Sequence, residues 1–353
     1  MSLSSIGVEV GQSMKVQICG DAARWDAYVT SMPEASSYHQ WAWQEAIRET
    51  FGHESYCLAA TEDGEIRGVL PLVRMKSRIF GHFLVSMPFS SYGGVLASAP
   101  GARDALLVHA AELARGLGVS HIELRQGRAE QIEWRDTTAK VTMEVELPMT
   151  VQQLSDRLSP KMRKRIRYAR KNGLEPKWEG PEAVAHFYPV FAANMRNLGT
   201  PVYPRNWFEN ICRQFPGDIR ILSLFEQGRP VASAFVSIYR DSVELPWAAT
   251  LPESRDKFSP LLLYWTLLEW ALESGYRRVD LGRCTPGSGN HDFKRRWICN
   301  EKPLHWYYWL ASGTLVPELR PDNPRYRIAT QVWKRLPLNV ANFLGPRIVR
   351  SIP

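Results

Sequence analysis

The sequence contains little that would build a membrane span, a disulfide framework or a metal site. Among its 353 residues, no apolar run reaches the ~18–20 residues that a transmembrane helix needs. The first residues also lack the basic-then-apolar pattern of a signal peptide. The five cysteines are scattered without a C-x-x-C pair, and the eight histidines show no metal-ligand spacing. We therefore expect a cytoplasmic protein that holds no metal ion.

A uniform surplus of positive charge is also missing, although the formal net charge is +8. Seven basic residues and no acid lie within residues 161–171, and seven basic and two acidic residues lie within residues 317–353. The remainder of the chain is mildly acidic. We expect the two basic patches to attract anionic partners locally, because the charge is concentrated there.

A unit of helix, β-hairpin, long helix and strand is predicted twice. In the first half it comprises residues 41–50, 56–73, 103–117 and 121–125, and in the second half residues 207–214, 219–239, 261–273 and 278–283. Gly52, Gly64, Gly118 and Arg125 recur in order as Gly217, Gly228, Gly275 and Arg283. The pattern predicts an α/β (α+β) protein made of two tandem domains, each a mixed sheet flanked by helices.

We expect four segments along the chain. The first domain covers residues 1–150, a basic linker helix 151–180, the second domain 181–312, and a basic C-terminal tail 313–353. In the linker, apolar residues recur every three or four positions, so one face packs and the arginines point outward. The tail either packs back across the first domain or rests on an anionic membrane surface.

Several motifs occur in a characteristic order: GVLPLV (68–73), SMPF (86–89), YGG (92–94), IELR (122–125), R-x-x-I-R-x-A-x-K-x-G (163–173), NMRNLGTP (194–201), DLGR (280–283) and DFK-x-x-W (292–297). Together they resemble the FemAB-type acyltransferases, tandem GNAT-fold enzymes that add amino acids to peptidoglycan precursors. The closest similarity is to the FemAB-like branch associated with bacterial PEP-CTERM/exosortase systems. The resemblance covers about residues 38–310.

The resemblance implies direct transfer of an aminoacyl or acyl group to an amine of a cell-envelope, peptidoglycan or exopolysaccharide precursor. The donor is expected to be a co-substrate rather than a tightly bound cofactor, either aminoacyl-tRNA or acyl-CoA. Neither the long helical arm of some tRNA-using relatives nor the R/Q-x-x-G-x-G/A turn that holds the CoA pyrophosphate is present. Two alternatives are an acyl-CoA-dependent enzyme of exopolysaccharide or lipid synthesis, and a non-catalytic RNA- or membrane-surface-binding module.

The basic helix is the first candidate binding site. Arginines on one helix face offer paired donors to phosphate, and the resemblance points to Arg163 and Arg167, with Lys171 beside them. They would hold a phosphate-bearing or lipid-linked acceptor, which also allows peripheral contact with the inner membrane. A tRNA could use the same patch. The alternative is a solvated face at a domain junction.

The second candidate site lies around the last predicted strand. The resemblance assigns Phe293 and Lys294 to the reacting centre, where a fixed ammonium stabilises an oxyanion; the alternative is an ordinary surface lysine. Asp280 is a candidate general base and Arg283 is expected near the donor cleft, unless the two form a buried ion pair. Further expected cleft residues are Tyr92, Asn194 and Arg196.

Overall fold

The computed structural model describes residues 14–78, 80–316 and 324–353. Its first half contains β1 (Lys15–Ile18), α1 (Ala22–Ser31), α2 (Trp41–Phe51), β2 (Glu54–Glu62), β3 (Glu65–Ser77), β4 (Gly81–Val85), β5 (Leu96–Ala97), α3 (Pro100–Leu117), β6 (His121–Gln126) and β7 (Arg135–Glu146). The chain continues through α4 (Val151–Arg157), α5 (Pro160–Ala169), β8 (Leu174–Glu179), α6 (Val184–Leu198), α7 (Arg205–Gln214), β9 (Ile219–Glu226), β10 (Arg229–Tyr239), β11 (Ser242–Thr250), α8 (Ser259–Glu273), β12 (Arg278–Cys284), α9 (Gly289–Arg295) and β13 (Asn300–Leu310). It ends with α10 (Pro324–Arg335) and α11 (Leu338–Val349).

The two halves repeat the same order of elements. The series α2-β2-β3-β4-α3-β6 in the first half corresponds to α7-β9-β10-β11-α8-β12 in the second. The predicted repeat is therefore present. It extends further than predicted, because a strand and a helix precede each series, β1 and α1 in one case and β8 and α6 in the other. The third strands of the units, β4 and β11, were not predicted.

The strands form one sheet in the order β1-β2-β3-β4-β6-β13-β7-β12-β11-β10-β9-β8, with β5 paired to β3. Within each half, one pair is parallel, β4 with β6 and β11 with β12. At the centre, the final strands are exchanged: β7 pairs with β12 of the second half, and β13 pairs with β6 of the first. Backbone hydrogen bonds thus join the two halves into one continuous sheet.

An aromatic core joins the halves on one face of the sheet. Trp207 of α7 is only 1% exposed, and its ring lies 5.3 Å from Phe51 and 6.1 Å from Trp43 of α2. The other face carries α3 over the first half and α8 over the second, each with its own apolar cluster. A core shared in this way fixes the position of one half against the other.

The segment 151–180 differs from the single linker helix that we expected. It forms two helices and a strand, α4, α5 and β8. The break lies at Ser159, whose hydroxyl accepts a hydrogen bond from the Met162 backbone N–H, while Pro160 occupies the first helical turn. A serine cap followed by proline starts a new helix, because the proline ring cannot continue the preceding one.

The C-terminal helices α10 and α11 pack against α6. Arg350 donates to the Phe51 carbonyl at 3.0 Å, and the His53 ring contacts the Arg350 carbonyl at 2.7 Å. Part of the expected tail, residues 317–323, lies outside the described residues. Over the described ranges, no helix has the length and apolarity needed to cross a bilayer.

Candidate active site

A cavity of about 540 Å³ lies between the two halves. Residues 33–39 and 92–100 of the first half form one wall, and residues 237–244 of the second half form the opposite wall. The exchanged strands and β12 contribute Thr142, Glu144, Asp280 and Lys302 to the lining. The cavity is therefore a product of the tandem arrangement, since neither half encloses it alone.

Two carboxyl groups, those of Glu244 and Asp280, stand side by side on the cavity wall. They are register partners on the parallel strands β11 and β12. The Tyr38 hydroxyl donates to Glu244 Oε1 at 2.8 Å, and the Tyr92 hydroxyl donates to Asp280 Oδ2 at 3.2 Å. Asp280 Oδ1 also accepts from Thr142 Oγ1 at 2.5 Å. Neither carboxylate forms an ion pair within the described ranges.

The environment raises the pKa of both acids. Burial and the negative charge of Asp280 raise the pKa of Glu244 to about 8, against hydrogen bonds from Tyr38 and Tyr92 that lower it. Burial also raises the pKa of Asp280, although hydrogen bonds from Thr142 and the Gly282 N–H oppose this. Burial holds the pKa values of both tyrosines well above 10. The tyrosines therefore stay neutral donors, while Glu244 can exchange a proton near neutral pH.

A bulge in β12 follows the carboxyl pair. The register shifts between Asp280 and Arg283, and Gly282 adopts a φ of +81°. A Cβ at Gly282 would stand 2.8 Å from the Leu245 carbonyl oxygen. Glycine is thus required both by the backbone angle and by the close approach of β11.

Lys294 is buried beneath this bulge rather than exposed at the surface. Its side chain reaches from α9 to donate to the Gly282 carbonyl at 2.7 Å and to the Arg283 carbonyl at 3.2 Å. Burial lowers its pKa, with the nearby Cys284 and Asp280 raising it. The ammonium holds the bulge beside Asp280, so Lys294 acts on the site through the backbone.

The neighbouring Phe293 lies apart from the cavity. Its ring contacts Tyr264 of α8 at 4.9 Å and Trp297 at 6.4 Å, within the apolar cluster of the second half. The adjacent Phe293 and Lys294 therefore have different surroundings. The reason is helical geometry, because consecutive residues on α9 point in directions about 100° apart.

Arg283 does not pair with Asp280, which excludes the ion pair considered from the sequence. Its guanidinium lies over the Trp306 ring, 5.1 Å from the centroid. Burial lowers the pKa of Arg283 to about 10, and the charge of Arg125 adds to this shift. Arg125 lies over the same ring at 4.5 Å.

The basic helix face is not brought to the cavity. Met162 and Ile166 of α5 pack in the α8 cluster together with Met143 of β7, whereas Thr142 of β7 lines the cavity. Since successive strand residues face opposite sides, α5 lies on the opposite face of the sheet. Arg163 hydrogen-bonds the Asp156 carbonyl, and Arg167 and Lys171 are exposed.

The remaining expected cleft residues separate into two groups. Tyr92 lines the cavity and contacts Asp280. Asn194 is buried on α6, and Arg196 donates to the Lys334 carbonyl of α10 at 3.3 Å. Asn194 and Arg196 thus belong to the region where the C-terminal helices pack.

Sequence reasoning missed Glu244, the most strongly shifted acid of the site. A signal was available, since Glu244 stands between Val243 and Leu245, both apolar. A lone acid between apolar strand residues is a site candidate, because an ionised carboxylate is costly to bury. Over the described part of the chain, no group of three or more His, Cys, Asp or Glu side chains could hold a metal ion.

Comparisons with known proteins agree on the fold. Residues 160–295 match the acetyltransferase (GNAT) domain family. A comparison with curated proteins finds no match. Among solved structures, the chain is similar to FemX, with a TM-score of 0.64 and 16% identity over 84% of this chain and 98% of that one.

Two further structures have comparable similarity. L-PGS from Bacillus licheniformis has a TM-score of 0.54 and 15% identity over 93% of this chain and 100% of its own. A tandem GNAT protein from the clavulanic acid biosynthesis pathway has a TM-score of 0.52 and 13% identity over 86% of this chain and 100% of its own. The predicted fold class, two tandem GNAT-like units with mixed sheets flanked by helices, is confirmed. The fold of the chain is therefore similar to that of FemX.

Proposed function

We propose that the protein is a FemAB-like N-acyltransferase that moves an aminoacyl or acyl group directly onto an amine of a cell-envelope precursor. The observation that carries the proposal is the pair formed by the half-buried Glu244 and the buried Asp280 on the wall of the cavity between the halves. An amine acceptor is protonated at neutral pH and must lose a proton before it can attack a carbonyl. A carboxylate with a pKa near 8 is well matched to that task.

The reaction proceeds by direct transfer. Glu244 takes a proton from the acceptor ammonium, and the freed nitrogen lone pair attacks the carbonyl carbon of the donor. A C–N bond forms, and the bond from that carbon to the donor sulfur or oxygen breaks. The bonding electrons leave with that atom, which takes up the second proton lost by the attacking nitrogen, and Glu244 then releases the first proton to solvent, so charge and atoms balance.

The surrounding residues set the position and the proton affinity of Glu244. Tyr38 fixes the carboxyl group by its hydrogen bond, and the negative charge of Asp280 raises the Glu244 pKa. Asp280 is itself fixed by Tyr92 and Thr142. Lys294 is a positioning residue, because its ammonium binds backbone carbonyls of the bulge next to Asp280.

Two donors fit this chemistry. The GNAT match over residues 160–295 favours an acyl-CoA thioester, while the resemblance of the sequence motifs to FemAB-type enzymes implies an aminoacyl-tRNA ester. Both present an activated carbonyl, and the carboxyl pair serves either one. An assay with acetyl-CoA in one arm and aminoacyl-tRNA in the other distinguishes the two donors.

We further propose that the acceptor is a phosphate-bearing peptidoglycan or exopolysaccharide precursor, either nucleotide- or lipid-linked. The exposed basic face of α5 lies on the opposite face of the sheet from the cavity, so it supports contact with an anionic surface that carries such precursors. On α11, the exposed Phe343 stands beside the exposed Arg347, a combination that suits peripheral contact with an anionic membrane.

The test compares Glu244→Gln with Glu209→Gln in transfer from each donor to an amine-bearing, nucleotide-linked sugar peptide. Glu209 is an exposed acid paired with Arg205 on α7, away from the cavity. We expect Glu244→Gln to lower the transfer rate by ~10²–10⁴-fold, the usual contribution of a general base, and Glu209→Gln to keep it. Equal rates for both variants would refute the assignment.

A further inference from the structure

Arg125 and Arg283 share one aromatic ring at the centre of the sheet. Their guanidinium carbons lie 4.5 Å and 5.1 Å from the centroid of the Trp306 indole on β13. Both arginines occupy equivalent places in the repeat, at the ends of β6 and β12. Two like charges are thereby held close together, which costs free energy unless anions compensate for them.

One carboxylate, that of Glu123, lies beside the two arginines, and it forms an ion pair with Arg125. Arg125 is 1% exposed and binds Glu123 Oε1 at 2.7 Å, and the same carboxyl group accepts from the Tyr308 hydroxyl. Arg283 has no hydrogen-bond or carboxylate partner for its guanidinium among the described residues. Its guanidinium donors are therefore available to a solute.

A third cation lies beside Arg283. The register of β7 and β12 pairs Val141 with Cys284, which places Lys140 next to Thr285. Lys140 Nζ donates to the Thr285 hydroxyl at 2.6 Å, and the charge of Arg283 helps to lower the Lys140 pKa. Arg125, Arg283, Lys140 and Glu123 together have a formal charge of +2.

We propose that Arg283 and Lys140 form a phosphate-binding subsite, with the Trp306 indole holding the guanidinium in place. A planar guanidinium offers two parallel N–H donors to phosphate oxygens, and an ammonium adds a point charge. The surplus of two charges matches a phosphate dianion or a pyrophosphate better than a single carboxylate. Arg283, Lys140 and Trp306 are all partly exposed, so a solute can reach them.

The subsite lies further along β12 than the carboxyl pair. Its role in catalysis rests on the proposed function. The register of β7 and β12 sets Arg283 opposite Thr142 and Asp280 opposite Glu144, two residues apart on β7, which is a separation of roughly 7 Å along the strand. Lys294 binds the carbonyls of Gly282 and Arg283, so it fixes the spacing between the two places. The ligand is thus a phosphorylated substrate whose reacting group stands several bonds from its phosphate.

Calorimetric titration with inorganic pyrophosphate tests the subsite without donor or acceptor. We expect wild-type protein to bind and Arg283→Gln to bind about tenfold or more weakly, because a charge-assisted pair is lost. Arg115→Gln is the matched control, since Arg115 lies over the Trp309 ring at 5.4 Å on the exposed side of α3. Binding that is absent in the wild type, or equal in Arg283→Gln, would overturn the proposal.

A second variant and two competitors complete the experiment. Lys140→Gln, at a partly exposed position, is expected to weaken pyrophosphate binding severalfold, even if Arg283→Gln fails to fold. Displacement of pyrophosphate by coenzyme A assigns the subsite to the donor, and displacement by a nucleoside diphosphate sugar assigns it to the acceptor. Displacement by neither, or equal competition by acetate, contradicts a substrate phosphate site. Glu244→Gln should bind pyrophosphate normally, so failure of transfer and failure of the subsite are distinguishable.

Discussion

Glu244 and Asp280 face each other across β11 and β12 at the last register where these strands pair. Beyond this point the regular pairing of the two strands ends, and Gly282 begins the bulge in β12. Two acids are thereby placed where the sheet opens to the cavity. The mutual repulsion of the acids, added to burial, gives Glu244 a pKa of about 8.

The pH dependence of transfer should shift in opposite directions in two variants. Tyr38→Phe removes a hydrogen bond that lowers the Glu244 pKa, so the rising limb of kcat/KM should move to higher pH. Asp280→Asn removes a negative charge that raises the same pKa, so the limb should move to lower pH. Rate measurements at fixed ionic strength check both. Shifts of the same sign would contradict the coupling between the two acids.

The stability of the protein should depend on the protonation of Glu244. Its folded pKa of about 8 lies above the ordinary value of 4.5, so the folded state binds a proton more tightly than the unfolded chain. The stabilisation that this proton gives the folded state is fully present below about pH 4.5 and is lost as pH rises through 8. It amounts to ~1.4 kcal/mol for each unit by which the folded pKa exceeds the unfolded one. In Glu244→Gln, the free energy of unfolding should therefore lack this decrease with rising pH. Urea titrations between these pH values measure it, with Glu209→Gln as the control.

Gly282→Ala should destabilise the protein more than Gly64→Ala. Both glycines have positive φ angles, +81° and +82°, but a Cβ at Gly64 meets no atom within 4 Å. We expect a loss of ~1–2 kcal/mol at Gly64 from the backbone angle alone. At Gly282, the contact with the Leu245 carbonyl should add ~1–3 kcal/mol. Equal losses in denaturant titrations would show that the bulge has room for a side chain.

Lys294→Met should lower both stability and transfer. The variant leaves the Gly282 and Arg283 carbonyls without their donor, at a cost of ~1–3 kcal/mol for a buried group. It also removes the nearby positive charge that lowers the Asp280 pKa. Phe293→Leu should cost stability without moving the pH profile of transfer, because Phe293 packs against Tyr264. A pH profile unchanged in Lys294→Met would contradict the positioning role.

Trp207→Ala should weaken both halves together. The indole packs against Phe51 and Trp43 of the first half, so its loss should lower the unfolding free energy by ~3–5 kcal/mol. We expect a single transition by circular dichroism and by tryptophan fluorescence, because the exchanged strands join the halves. Two separated transitions would show that the halves unfold independently.

The repeat could be predicted because its signals are local. Turn glycines such as Gly64 and apolar periodicity depend on neighbouring residues, and they indicated the hairpins and long helices correctly. The exchange of β7 and β13 could not be predicted in this way. Strand partners far apart in the chain are chosen by the packing of the whole sheet, and an alternating strand looks the same beside either neighbour.

The site was predictable only in part. Asp280 and Tyr92 were identified from motifs, and the structure brings them into contact. Glu244 was missed because its importance comes from burial next to Asp280, which depends on the register of β11 and β12. The burial of Lys294 also depends on tertiary packing, since its sequence neighbours Arg295 and Arg296 are exposed.

The most direct test of the account is the pH dependence of kcat/KM for acyl transfer by the wild type and Glu244→Gln. We predict a wild-type rate that rises with pH to a plateau above about 8, and a variant whose residual rate lacks this limb. A Glu244→Gln enzyme that keeps both the rate and the limb would contradict it.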